Sequence, residues 1–191
     1  MSRPSWDIFL IDGRTGEPVE AKIYEGLEPY NIDHHENLWI PLIFMASRFS
    51  AEAADYSPSM QAIKTLGTIY GNTQASTLRR FVLHAHNKPM IAVIMKPHWV
   101  TENQSDDVLD LCRYFVPSKQ FLEKFSRTSP VEIVQHVKDS TYMKSGGPVG
   151  GGTLIVSDDN GEPHEFVSDA FFNRYDILCL ISYVRKYPVL G

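Results

Sequence analysis

Apolar positions along this chain fall into runs of different period, and the period predicts the elements. Asp7-Ile8-Phe9-Leu10-Ile11 is apolar, Asp12 to Gly16 is turn chemistry, and Val19 to Tyr24 alternates with period two, so a hairpin is expected over Trp6 to Tyr24. A stretch rich in Pro, Asn, Asp and His follows. From Pro41, a residue suited to a first helical position, Leu42, Met45, Ala46, Phe49 and Ala53 recur at helical spacing and predict a helix ending near Asp55. Ser57-Pro58 starts a second helix, whose stripe of Met60, Ile63, Leu66 and Ile69 stops at Gly71. Asn72 or Thr73 caps a third, carrying Leu78, Phe81 and Val82. Residues 41–83 therefore read as three short helices with tight connections.

The second half changes character. Met90 to Met95 is a buried-strand pattern ending at Lys96-Pro97, residues 101–107 read as a polar loop, and Leu109 to Val116 reads as a further strand. Phe121 to Phe125 and Val131 to Val137 fit a short helix or a strand equally. Gly146 to Gly152 reads as a flexible loop. Thr153 to Val156, Asp159-Asn160-Gly161 and His164 to Val167 spell a hairpin. A helix from about Asp176 to Val184 closes the pattern. The expected fold class is α+β: an N-terminal hairpin, three short helices, a mainly antiparallel sheet and a C-terminal helix.

Composition narrows the classes. A chain of 191 residues with 43% hydrophobic and 21% charged side chains suffices for one folded core. Two cysteines, Cys112 and Cys179, are too few for a disulfide scaffold and fit a reducing compartment. No apolar run approaches the ~20 residues of a membrane span, and the first residues lack the basic and long apolar regions of a secretion signal, so a cytoplasmic protein without a membrane partner is expected. Charge is unevenly placed. Residues 1–36 hold three basic and eight acidic side chains, a net −5 equal to that of the whole chain. Residues 1–37 are accordingly set apart as an acidic segment ahead of one domain over 38–191. The acidic balance argues against a nucleic-acid partner.

Several clusters offer chemistry. Asp33-His34-His35-Glu36, with Glu52 one helix away, has the side chains of a zinc site: His34, His35 and Glu52 as ligands and Glu36 as catalytic carboxylate. Against it, a zinc helix presents two histidines four apart, whereas His34 and His35 are adjacent and point apart. His84-Ala85-His86 would share a strand face, but after Arg79-Arg80-Phe81 it reads as complementing the end of a helix. The glycine run from Ser145 to Thr153 lacks the Lys-Ser or Lys-Thr of a phosphate loop. Cys112 has no nucleophile signature and reads as packing. Ile63 to Val82, two helices about Gly71 with Thr77, Arg79 and Arg80 on the second, has the outline of a DNA-reading helix-turn-helix.

Extended backwards, that region carries a likeness. Met45 to Met95 resembles the part of ImmA/IrrE-type metallopeptidases that follows their zinc helix, where a helix of Ala-Asn-x-Phe-Ala type leads to a proline, a helical pair and a strand. Ala46-Ser47-Arg48-Phe49-Ser50, Pro58, Ala75-Ser76 and Arg79-Arg80-Phe81 occupy matching places. The resemblance implies a peptidase-like scaffold over about 38–184. It departs where the chemistry lies: no HExxH occurs in the chain, and the third-ligand places fall on Ile43, Phe44 or Met45. A metal without three protein ligands is neither held nor able to activate water. The expectation is a scaffold without its zinc, acting through contact with another protein, such as a transcriptional regulator or a larger assembly in phage or mobile-element regulation. The alternatives are a zinc peptidase with an altered or partner-supplied site, and a DNA-binding regulator.

Overall fold

The computed structural model describes residues 10–11, 18–19, 48–100, 102, 105 and 107–188. Two compact units divide the chain, Met1–Ala46 and Ser47–Gly191. In the first, β1 (Leu10–Ile11) pairs antiparallel with β2 (Pro18–Val19). These two strands fall within the expected hairpin; the rest of it lies outside the described residues.

The second unit is α+β, with helices early and strands late. Helix α1 covers 48–54. Helix α2 (Met60–Tyr70) starts at Ser59, whose hydroxyl accepts from Ala62 N, and ends at Gly71 in the left-handed conformation. Helix α3 (Gln74–His84) starts at Thr73, which accepts from Ser76 N. Strand β3 (Met90–Met95) leads to a short 3-10 helix (Val108–Leu111) and β4 (Cys112–Pro117), so the strand expected from Leu109 begins three residues later. Both ambiguous segments are helical: α4 (Lys119–Lys124), capped by the Ser118 hydroxyl, and α5 (Pro130–Ser140), with proline in its first turn.

Strands β5 (Gly147–Ser157), β6 (Pro163–Phe172) and β7 (Ile177–Lys186) complete a five-stranded, wholly antiparallel sheet of order β4-β3-β7-β6-β5. Two expectations are corrected here. Residues 176–184 are not a C-terminal helix: 177–186 form β7, inserted between β3 and β6. A strand covered on both faces needs no polar alternation, so Ile177 to Ile181 reads as an unbroken apolar run. The glycine run is not a loop either, since Gly147 to Gly152 is the first half of β5.

Helices cover both faces. Met90, Ala92 and Ile94 of β3 and Leu178 and Leu180 of β7 pack against Phe49, Ile63, Leu66, Leu78 and Phe81 from α1–α3. The alternate residues Ile91, Val93, Met95, Ile177, Cys179 and Ile181 pack against Phe121, Phe125, Ile133, Val134 and Val137 from α4 and α5. Among the described residues, no helix is long and apolar enough to cross a membrane.

Candidate functional site

One end of the sheet gathers two loops, 141–146 between α5 and β5 and 173–176 between β6 and β7. Gly147 pairs with Phe172, and the Arg174 side chain passes over Gly146, 3.7 Å from where a β-carbon on that glycine would lie. Asn173 shapes the second loop. Its Oδ1 accepts from the N–H groups of Tyr175 (3.0 Å) and Asp176 (2.8 Å), and its own N–H donates to Asp176 O at 3.2 Å. Asp176 is held in turn by an ion pair with Arg113 at 2.7 Å. Together these bonds hold Arg174 at φ +79°, left-handed for a residue that is not glycine. The loops carry large apolar side chains in water: Tyr175 is 79% exposed, Met143 72% and Tyr142 54%.

Between segments 145–147 and 171–174 and the first residue of α3, Gln74, lies a cleft of about 360 Å³. Gln74 Oε1 is buried and has no hydrogen-bond partner.

Behind the cleft, the glycines of β5 let α5 lie directly on the sheet. A β-carbon at Gly150 would stand 2.2 Å from Ser140 O. This close approach sets His136 of α5 over Gly152, with Nε2 3.0 Å from Ser168 Oγ of β6. Ser168 Oγ accepts from Gly152 N at 2.8 Å and donates to Gly152 O at 3.1 Å. The one hydroxyl thus meets the His136 imidazole and both backbone groups of Gly152. Burial pushes the His136 pKa down.

Asp158, Glu162 and His164, at the β5–β6 turn, are the group of three possible metal ligands that comes together among the described residues. Their polar atoms are largely occupied. Asp158 Oδ1 accepts from Asn160 N (3.0 Å) and Glu162 N (2.9 Å), its Oδ2 lies 3.1 Å from His164 Nε2, and Glu162 pairs with Lys186 at 2.6 Å. Desolvation acts to raise the Asp158 pKa, but the Glu162 N–H, the His164 imidazole and the Asn160 N–H outweigh it and hold the carboxyl below its ordinary value. The geometry is that of a clasp on the turn, with the His164 ring packed against Phe125 at 5.2 Å.

Compared with known protein families and with curated proteins, the chain matches none. What the site can do is argued from its own geometry.

The residues singled out in the sequence are dispersed. His34, His35 and Glu36 lie outside the described residues, as do Ile43, Phe44 and Met45. Glu52 accepts the Tyr70 hydroxyl at 2.7 Å, joining α1 to α2, and belongs to no three-ligand group among the described residues. Thr77 is fully buried, with its hydroxyl donating to Thr73 O, so it faces the α2–α3 contact. Arg79 lies over the Tyr114 ring and Arg80 over Phe49, each as a cation–π pair. His84 ends α3, and His86 packs edge-on against Phe81. Burial pushes the Cys112 thiol up to about 11, and Cys179 is sealed in the sheet with its pKa likewise raised by burial. Sequence reasoning missed Arg174, Gln74, Met143 and Tyr175. The one available signal was Asn173-Arg174-Tyr175-Asp176, a polar interruption between two apolar runs.

Proposed function

We propose that this chain is a binding domain that works by holding a protein partner, on the ImmA/IrrE-type scaffold that its motifs resemble and without a zinc site of its own. The observation that carries the reading is the exposure of Tyr142, Met143 and Tyr175, large apolar side chains left in water on two loops at one end of the sheet. Tyr and Met are enriched in the buried centres of protein interfaces. The sequence supports the same reading, because HExxH is absent from it. The candidate nucleophile Cys112 also lacks activation, since burial holds its thiol protonated near neutrality. A transcriptional regulator or a larger regulatory assembly is the partner class that the resemblance implies.

Two measurements test this. Protein purified without chelator is expected to carry no stoichiometric zinc; one zinc per chain, lost in His35→Ala together with peptidase activity, overturns the reading. Replacing Met143 and Tyr175 together by serine is expected to leave the melting temperature within about 2 °C, since both are surface positions. The same change should weaken a partner interaction reconstituted from purified components by at least about tenfold. Undiminished affinity removes the surface assignment.

A further inference from the structure

We propose that Met143 is a site of reversible oxidation, where a hydroperoxide turns the thioether into a sulfoxide and so makes the surface of the 141–146 loop polar. The modification itself stands apart from the protein-contact reading; its effect on a partner rests on that reading.

Exposure separates Met143 from every other sulfur atom among the described residues. Its side chain is 72% exposed, whereas Met60 and Met90 are buried in one core layer and Met95 in the other. Cys179 is buried in β7, and Cys112 is half-buried at the start of β4. Thiols react with peroxides as thiolates, and burial keeps both cysteines protonated at neutral pH, Cys112 with a pKa pushed up to about 11. A thioether needs no deprotonation, so access to its sulfur decides how readily it reacts.

In the forward step a lone pair of Met143 Sδ attacks one oxygen of hydrogen peroxide. The S–O bond forms, the O–O bond breaks, sulfur gives up two electrons, and the other oxygen leaves as water. A reductase of the methionine sulfoxide class reverses this, removing the oxygen as water with two electrons from thiols that close to a disulfide. Both the peroxide and the reductase need an accessible sulfur, which the loop between α5 and β5 presents. A sulfoxide in a core disrupts packing, but at Met143 it stands in water, so the fold is kept while a flexible apolar side chain becomes a polar one. On the protein-contact reading, an apolar contact residue beside Tyr142 is thereby lost and the partner is released.

Peroxide treatment of the full chain at pH 7, followed by digestion and mass mapping, tests the site. Met143 is expected to gain one oxygen at least about tenfold faster than Met60, Met90 or Met95, with the melting temperature kept within about 2 °C. Retention of the oxidised chain on a phenyl hydrophobic-interaction column is expected to fall. Met143→Gln should imitate that fall without peroxide, and Met143→Leu, apolar but without the thioether, should keep its retention through the treatment. Equal oxidation at the buried methionines, oxidation of Cys112 ahead of Met143, or a retention shift in Met143→Leu as large as in the natural chain overturns the proposal. These readouts use no partner. A partner interaction unchanged by the Met143 sulfoxide counts against the protein-contact reading and leaves the oxidation site standing.

Discussion

Glycines in this molecule are required for different physical reasons, and two of them separate those reasons. Gly161, in the β5–β6 turn, has φ +82° and open space where a β-carbon would go. Gly150 has φ +128° and the Ser140 carbonyl oxygen 2.2 Å from that point. Gly161→Ala is therefore expected to cost about 1 kcal/mol, from backbone strain alone. Gly150→Ala adds displacement of the α5 terminus from the sheet, and about 3 kcal/mol or more is expected. Urea midpoints of the two variants decide it: equal losses would mean that α5 does not press on β5. Within the run SGGPVGGGT, Gly150 and Gly151 are thus set by backbone crowding. Nothing local in the sequence reveals this, because the crowding atoms belong to Ser140 and, at Gly151, to Ser168.

Element by element, the helices on one face of the sheet were the most legible. Thr73 and Gly71 are recognisable caps and the stripe from Met60 to Leu66 faces one layer, whereas the start expected at Ser57-Pro58 falls at Ser59. What positions α2 is less visible: Met60 N donates to Asp169 Oδ2 of β6 at 2.7 Å, across 109 residues of sequence. Asp169→Ala is expected to cost about 1–2 kcal/mol, as loss of a helix-start acceptor does. Hydrogen exchange should then speed in α2 while β3 keeps its protection. Uniform acceleration in both would show that Asp169 serves the whole fold instead. Strands were harder to read in proportion to how fully they are covered. The β5–β6 hairpin alternates and was seen in part, whereas β7 is apolar on both faces and passed for a helix. The apolar loop end was illegible for a related reason. Tyr142, Met143 and Tyr175 look like core residues until the register of β5 on β6 leaves them outside.

At the scale of the whole molecule, three imidazoles among the described residues oppose acid. Burial pushes His86, His98 and His136 below their ordinary 6.5, with Lys88 adding to the effect at His86 and Lys138 at His98, where Asp139 opposes it. The unfolded chain takes up these protons near 6.5 and the folded chain only at lower pH, so between those values the unfolded state binds more protons. Stability is expected to fall as pH drops from 7.5 to 5.5, read as a lower urea midpoint, and replacing all three histidines by glutamine should flatten the dependence. A midpoint that rises toward pH 5.5 would refute it. The sheet order has a consequence during synthesis. Strand β7 pairs with both β3 and β6 and supplies Ile177, Cys179 and Ile181 to one core and Leu178 and Leu180 to the other. Until residues 177–186 leave the ribosome, β3 and β6 each keep an unpaired edge and neither helical layer has its full seat. A chain stalled just short of that strand is a sticky intermediate with two open edges, the form most in need of a chaperone.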